Sequence, residues 1–275
     1  MQNESHGTVS DAAHGFGALI IGDEILRGKR LDKHMARLIE VLAARGLALA
    51  WCHYVGDDPE RLTCTLKASF ATNDVVFSFG GIGATPDDVT RQCAAAAAGV
   101  PLVRHPEALA ILLEKFGDEA YPKRVLMADF PAGAEIVPNP YNRIPGFSLG
   151  HHYFLPGFPE MAWPMVEWVL DTKYRHLFPP EPQADGSLLV DDAPESRLID
   201  LMQEVGAKYP RVKVYSLPSF TPEGQRVELG VRGPAEEVAQ AIEALRRGVS
   251  ALGLRWKNAP CPAGRMPFEE TPWTL

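Results

Sequence analysis

A buried-strand pattern that runs straight into a glycine-rich turn constrains the fold more than any other feature of the chain. Residues 74–79 are Asp-Val-Val-Phe-Ser-Phe, and Gly-Gly-Ile-Gly follows at once at 80–83. Similar apolar runs at 16–21 and 47–55 are each followed by a segment with helical spacing. Strands that alternate with helices predict βαβ units, and hence a mainly parallel sheet with helices on both faces. The first part of the chain is therefore predicted to be a three-layer α/β domain.

Prolines at 179, 180 and 182 mark a change in the pattern of elements. Beyond them the spacing predicts a strand, a helix, two strands, a second helix and a last strand, an order typical of a small ferredoxin-like α+β domain. We therefore predict four segments: a disordered leader at 1–14, the α/β domain at 15–178, the βαββαβ domain at 184–258 and a tail at 259–275.

The composition bears on which partners the chain can have. The formal net charge is −8, so a nucleic-acid surface would have to be assembled from few cations, and no such partner is expected. The four cysteines show no C-x-x-C spacing, which favours a reducing compartment. The leader is polar and carries no secretory signal, and no apolar run approaches the roughly 20 residues that cross a bilayer. We expect a cytoplasmic protein with no membrane partner.

The glycines that follow the third predicted strand are typical of a loop that approaches a ligand. Gly80, Gly81 and Gly83 carry no Cβ atom, so their backbone can bend sharply and lie close to a bound group. A helix is predicted over residues 86–98. The free N–H groups of its first turn, together with Thr85, would cradle an anion such as phosphate. The spacing matches neither the dinucleotide fingerprint nor the P-loop.

The same segment also suits an ordinary helix start. In that interpretation Thr85 is the N-cap and Pro86 takes the first helical position. The carboxylates of Asp87 and Asp88 then lie in the first turn. Two further features favour a ligand site. Loops that follow parallel strands gather at the edge of the sheet where open α/β sheets bind ligands, and this loop places two carboxylates beside three glycines.

Two carboxylates beside a phosphate require a counter-charge. At about 4 Å and an effective dielectric near 20, a carboxylate and a phosphate oxygen repel each other by about 4 kcal/mol. A helix dipole stabilises a nearby anion by only about 0.3–1 kcal/mol. A divalent cation would have to lie between them, and Mg²⁺ prefers oxygen ligands and phosphate. We therefore predict that Asp87 and Asp88 hold a metal ion and are the catalytic residues of any hydrolysis.

Two other predicted strands end in segments that would lie at the same edge. After the first strand, the carboxylates of Asp23 and Glu24 would join the glycine loop as ligand-binding groups, with a solvated turn as the alternative. Pro156, Gly157 and Pro159 follow a later strand. They would add ligand-facing backbone there, or form a simple tight turn that starts a helix.

Five segments in this order resemble one family. They are Gly-Asp-Glu-Ile-Leu-Arg-Gly at 22–28, Val-Gly-Asp-Asp at 55–58, the glycine and Asp-Asp segment at 80–90, Pro-Ala-Gly-Ala at 131–134 and Leu-Pro-Gly-Phe-Pro-Glu at 155–160. Together they resemble the first domain of CinA-type proteins in the MoaB/Mog molybdopterin-binding superfamily. The resemblance implies a Mog-type fold, homo-oligomers, and molybdopterin or an adenine nucleotide as ligand. It also carries the acidic motif of the family to Asp87 and Asp88, with Thr90 following as a ligand-binding residue.

Two functions follow from the resemblance. In the first, the chain binds a small phosphorylated ligand, a pterin or an adenine nucleotide. It then hydrolyses a pyrophosphate or phosphate ester with Mg²⁺ or another divalent metal, as CinA-type pyrophosphatases do. In the second, the chain is a non-catalytic carrier or sensor of the same ligand. Departures from the family pattern motivate the second: residues 29–34 lack the usual asparagines, and Tyr-Asn-Arg-Ile at 141–144 replaces a stretch of small residues. Ala84 also stands where proline is usual in the family.

Overall fold

The computed structural model describes residues 15–221 and 224–259. The leader predicted at 1–14 therefore lies outside the described residues, and so does the tail predicted at 259–275 except for its first residue. Backbone contacts divide the chain into two compact units, one ending at Phe178 and the other beginning at Pro179. Within the described ranges, no helix combines the length and the apolar character needed to cross a membrane.

The first unit is built on a six-stranded sheet. The strands of this unit in chain order are β1 (Phe16–Ile21), β2 (Leu49–Val55), β3 (Val75–Phe79), β4 (Leu102–Arg104), β5 (Asp129–Pro131), β6 (Glu135–Val137), β7 (Gly146–Leu149) and β8 (His152–Leu155). The sheet order is β2-β1-β3-β8-β7-β6, and β4 and β5 form a separate pair. The strands β2, β1, β3 and β8 run parallel, whereas β7 and β6 are each antiparallel to the strand before them in this order. The sheet is mainly parallel, as predicted.

Helices cover both faces of this sheet. They are α1 (Asp23–Leu26), α2 (His34–Ala43), α3 (Pro59–Phe70), α4 (Thr90–Ala98), α5 (Pro106–Phe116) and α6 (Pro159–Lys173). Alternate residues of β1 face opposite sides. Ala18 and Ile20 pack in one apolar cluster with α2 and α6, whereas Leu19 and Ile21 pack in another with α3, α4 and α5. A strand buried on both faces explains the unbroken apolar run, and the predicted three-layer α/β class is confirmed.

The prediction that a helix starts at Pro86 with Thr85 as its N-cap is wrong. Helix α4 begins at Thr90, its N-cap residue is Val89, and no side chain caps it. The backbone before it forms a tight turn, closed by a 3.0 Å hydrogen bond from the Asp88 N–H to the Thr85 carbonyl. Proline suits the second position of such a turn as well as the first position of a helix, so the local pattern does not separate the two.

The second unit is a small α+β domain. In chain order its elements are β9 (Gln183–Asp191), α7 (Ile199–Lys208), β10 (Lys213–Thr221), β11 (Gly224–Pro234), α8 (Ala235–Ala251) and β12 (Arg255–Asn258). The sheet order is β10-β11-β9-β12, and every neighbouring pair is antiparallel. Each helix therefore connects two strands that have another strand between them, which is the split arrangement of a ferredoxin-like fold. The predicted class of this domain is confirmed.

A buried histidine makes the stability of the first unit depend on pH. His152 in β8 is 3% exposed, its Nε2 atom lies 2.9 Å from Ser69 Oγ, and its ring packs edge-on against Phe70. Burial, together with the neighbouring His151, lowers the pKa of His152 to about 4. The folded state therefore keeps this ring neutral at pH values where an unfolded chain would protonate it.

We expect the free energy of unfolding to decrease as the pH falls from 6.5, the ordinary pKa of histidine, toward about 4. At about pH 5 the loss due to His152 is about 2 kcal/mol relative to neutral pH. Urea unfolding at both pH values compares the wild type with His152→Gln and with His53→Gln, which changes an exposed histidine of β2. The His53 control should keep the wild-type loss and His152→Gln should show less of it. An equal loss in all three proteins would contradict the prediction.

Candidate ligand-binding site

Four parallel strands end at the same edge of the first sheet, so the loops that follow them come together. The Gly22 N–H donates to the Val55 carbonyl at 3.0 Å, and the Gly80 N–H donates to the Leu155 carbonyl at 3.0 Å. A Cβ atom on Gly157 would lie 3.4 Å from the Gly80 Cα atom. The structure thus brings together the three loops that the sequence analysis places in one site.

The glycine loop, residues 80–83, runs so close to its neighbours that side chains are excluded at two positions. Gly80 and Gly81 have φ values of +107° and +67°, which favour glycine. A Cβ atom on Gly80 would overlap the Ile21 carbonyl oxygen, and one on Gly81 would overlap the Thr90 hydroxyl. Thr90 is fully buried, and its hydroxyl donates to the Gly80 carbonyl at 3.1 Å. Thr90, predicted as a ligand contact, thus lies beneath the loop and holds it.

The glycine loop also carries free backbone donors. The N–H groups of Gly81, Ile82 and Gly83 donate no hydrogen bond to any residue that the structure describes. A backbone N–H without a protein partner bonds water or a ligand, because leaving it unpaired costs free energy. Consecutive N–H donors in a loop between a strand and a helix are the arrangement with which glycine loops bind phosphate.

Thr85 and Asp88 close the turn that follows the loop. The Asp88 Oδ2 atom accepts hydrogen bonds from the Thr85 N–H at 2.8 Å and from the Thr85 hydroxyl at 2.5 Å. The Asp88 Oδ1 atom accepts none from the described part of the chain. The neighbouring Asp87 is exposed. The two predicted metal ligands therefore lie in a turn rather than in a helix, and Asp88 keeps one oxygen for another partner.

Asp57 belongs to the motif segment at 55–58, but no role in the site was predicted for it. It follows β2, and its Oδ2 atom accepts from the Asp23 N–H at 2.9 Å while its own N–H donates to Asp23 Oδ1 at 3.3 Å. Burial raises the pKa of Asp57; the hydrogen bond from Asp23 opposes this shift, and the charges of Asp23, Glu24 and Asp87 add to it. Its place after the carboxyl end of a parallel strand is the signal that could have revealed it.

The two acidic residues predicted after β1 lie at this edge as well. Asp23 Oδ2 pairs with the Arg27 guanidinium at 2.5 Å across one turn of α1. The Glu24 side chain folds back over Gly22, where an added Cβ atom would lie 2.6 Å from Glu24 Oε2. With Asp57, these carboxylates give the edge a concentration of negative charge beside the glycine loop.

The acidic residues could bind a divalent cation only if water and the ligand supplied the remaining oxygens of its coordination shell. Among the described residues, no group of three or more His, Cys, Asp or Glu side chains is arranged to hold a metal ion. Mg²⁺ commonly takes one or two carboxylates and completes its shell with water and phosphate oxygens. The free Oδ1 atom of Asp88 and the exposed carboxylate of Asp87 fit a Mg²⁺ site with one or two protein carboxylates. Any cation here would therefore be held together with oxygens of the ligand.

A histidine holds the loop after β8. His34, the first residue of α2, is 6% exposed and stacks on Phe79 with ring centroids 4.4 Å apart. Its Nε2 atom lies 3.1 Å from the Gly157 carbonyl oxygen, and burial lowers the pKa of its ring. The sequence gives no local signal for this contact, since the two residues are 123 positions apart.

The residues that flank Gly157 present one exposed ring. Pro156 is half-buried and Pro159 is the first residue of α6, so both mainly shape the backbone. Phe158 lies between them and is 56% exposed. A planar ligand ring could stack there, because offset contact between aromatic faces is favourable.

A three-layer α/β domain with a glycine loop at the carboxyl edge of its parallel strands is typical of a ligand-binding protein. The family model described as "Probable molybdopterin binding domain" matches residues 17–176, more than half of the chain. The chain belongs to this family. The family predicted from the five motif segments is therefore confirmed.

Relatives and a solved structure agree with this assignment. A CinA-like protein of Anaeromyxobacter sp. (strain K) is 36% identical over 195 residues, which cover 68% of this chain and 47% of that protein. A protein of Pyrobaculum calidifontis is 31% identical over 253 residues, which cover 88% of this chain and 97% of that protein. The structure of CinA, a protein of unknown function from Thermoplasma acidophilum, matches with a TM-score of 0.52 at 27% identity, covering 57% of this chain and 97% of that one. The chain spans about half the length of the Anaeromyxobacter relative, and the predicted resemblance to CinA-type proteins is confirmed.

Proposed function

We propose that the first unit binds a phosphorylated heterocycle, either a molybdopterin-like pterin or an adenine nucleotide, with its phosphate on the glycine loop. The observation that carries this proposal is the run of three backbone donors at Gly81, Ile82 and Gly83, which have no partner among the described residues. The family description, which names molybdopterin, supports the pterin. The resemblance to CinA-type proteins supports the nucleotide.

The exposed ring of Phe158 is the proposed contact for the heterocycle. Phe158 follows Gly157, which lies against Gly80. One ligand with its phosphate on the glycine loop is therefore proposed to extend to the ring of Phe158. Such aromatic pairs contribute about 0.5–1.5 kcal/mol beyond the burial of apolar area.

The finer proposal is hydrolysis of a pyrophosphate or phosphate ester in this ligand. A divalent cation such as Mg²⁺ would, when bound, neutralise phosphate charge and activate a water molecule. Asp87 and Asp88 would hold that cation from the turn, while Asp23 and Glu24 add negative charge that favours it. Asp57, whose pKa is raised by burial, is suited to accept a proton from water.

A non-catalytic carrier or sensor of the same ligand is the second candidate. The Asp88 carboxylate already accepts two hydrogen bonds from Thr85. Because the turn already uses one oxygen of Asp88, this arrangement favours a site that holds a phosphorylated ligand without turning it over. In either case a homo-oligomeric state, a cytoplasmic location and the absence of a nucleic-acid partner stay predictions from the sequence.

Ligand identification separates the two candidates. Native mass spectrometry of the freshly purified chain detects a ligand that co-purifies, and titration with molybdopterin, ADP-ribose, FAD and NADH tests the ligand class. Each compound is then assayed for turnover with Mg²⁺, Mn²⁺ or Co²⁺. Metal-dependent cleavage of any of them supports the hydrolase, and binding without cleavage supports the carrier. If none of them binds, the proposed ligand class is wrong.

A further inference from the structure

Arg91 is buried beneath the glycine loop. It is the second residue of α4 and is 3% exposed, and its guanidinium joins two segments. The Nη2 group donates to the Gly83 carbonyl at 2.5 Å. The Nη1 group donates to the Leu126 carbonyl and, at 3.5 Å, to the Asp129 carbonyl. The buried Nε group has no partner among the described residues.

The charge of this guanidinium is not neutralised by direct contact with a carboxylate. Its hydrogen bonds to the described residues all go to backbone carbonyls. The carboxylate of Asp129 is bound by Arg104 instead. Burial lowers the pKa of Arg91, and the charges of Asp129 and Asp88 oppose that shift. Because arginine stays protonated in proteins, the fold keeps a positive charge next to the loop.

The carbonyls of the loop are held from one side. Thr90 binds the Gly80 carbonyl through its hydroxyl and the Gly81 carbonyl through its N–H, and Arg91 binds the Gly83 carbonyl. In a trans peptide the C=O of one residue and the N–H of the next point in opposite directions. Holding these carbonyls beneath the loop therefore turns the following N–H groups, including that of Ile82, away from the protein interior.

We propose that Arg91 is a positioning residue of the ligand site, which fixes the loop through the Gly83 carbonyl and supplies a permanent positive charge under it. The inference rests on the proposed function, in which a phosphate occupies the loop. A buried charge is screened by salt much less than an exposed one. The site therefore binds an anionic ligand before any divalent cation is present, and the cation adds to an attraction that already exists.

Titration of the full chain with ADP and with adenosine, both in EDTA, tests the contribution of this charge. Two neutral variants remove the charge: Arg91→Gln, which keeps a hydrogen-bond donor, and Arg91→Met. If one of these variants does not fold, the other is used. Arg91→Lys keeps the charge. Arg124→Met is the matched control, because it removes the same charge from a partly exposed arginine that pairs with Glu119.

We expect the neutral variants to bind ADP about tenfold more weakly than the wild type, with adenosine affinity unchanged. Arg91→Lys should stay within about threefold for ADP, and Arg124→Met should bind both compounds as the wild type does. Wild-type ADP affinity in a folded neutral variant would overturn the proposal. Equal losses for ADP and adenosine would also overturn it, since they indicate a purely structural role. A wild type that binds neither ADP in EDTA nor molybdopterin, ADP-ribose, FAD or NADH would instead refute the proposed function itself.

Discussion

Gly80→Ala is expected to abolish ligand binding and to lower the stability of the first unit. At a φ of +107° an added methyl group is strained, and it would overlap the Ile21 carbonyl oxygen, a backbone atom that cannot rotate away. Strain of this kind costs about 1–3 kcal/mol, and displacement of β1 adds to it, so we expect a loss of about 3 kcal/mol in the free energy of unfolding. The loop must move to make room for the methyl group, and its free N–H groups move with it.

Gly99→Ala is the matched control for this variant. Gly99 ends α4 with a φ of +69°, and nothing lies within 4 Å of a Cβ atom added there. The substitution therefore introduces left-handed strain without a clash, at a cost of about 1 kcal/mol and with wild-type ligand binding. Urea unfolding and titration with ADP measure both effects. Equal stability losses in the two variants, or normal ADP binding by Gly80→Ala, would show that the close approach of the loop to β1 is unimportant.

Asp88→Asn is expected to lower metal-dependent turnover about 100-fold while ligand binding is retained. Asparagine has the same size, and its Oδ1 atom can still accept a hydrogen bond from Thr85. What it loses is the negative charge that would hold a cation through the second oxygen. Turnover of the compound identified by the ligand panel, measured with the preferred metal, gives the size of the effect.

Thr85→Val separates the charge of Asp88 from its part in the turn. This variant removes the hydroxyl that donates to Asp88 but leaves the carboxylate in place. We expect a loss of less than about fivefold in turnover, because one exposed hydrogen bond is removed. Full activity in Asp88→Asn would remove the metal role. Similar losses in both variants would assign Asp88 to the shape of the turn alone.

Elements with strong local signals could be predicted from the sequence. The apolar run at 16–21 is β1 because it is buried on both faces of a parallel sheet. Proline begins α5 at Pro106, where its missing N–H costs nothing. The start of α4 could not be predicted in this way. It is set by tertiary hydrogen bonds from the buried Thr90 to Gly80 and Gly81.

The loops of the candidate site that follow strand ends could be predicted from the sequence. The buried side chains that hold these loops could not. The glycine loop and the acidic segment after β1 come directly from the rule that parallel strands end at one edge. Arg91 and His34 are different, because nothing local indicates that a charged or titratable side chain will be nearly inaccessible. Their roles arise from contacts with Gly83 and Gly157, which depend on how the loops pack.

Amide NMR of the isotope-labelled chain during titration with ADP tests most directly whether a phosphate lies on the glycine loop. We predict that the amide signals of Gly81, Ile82 and Gly83 shift strongly with ADP. They should shift far less with adenosine, which lacks the phosphate. Shifts confined to other parts of the chain, or equal shifts of these three amides with both compounds, would contradict a phosphate site at this loop.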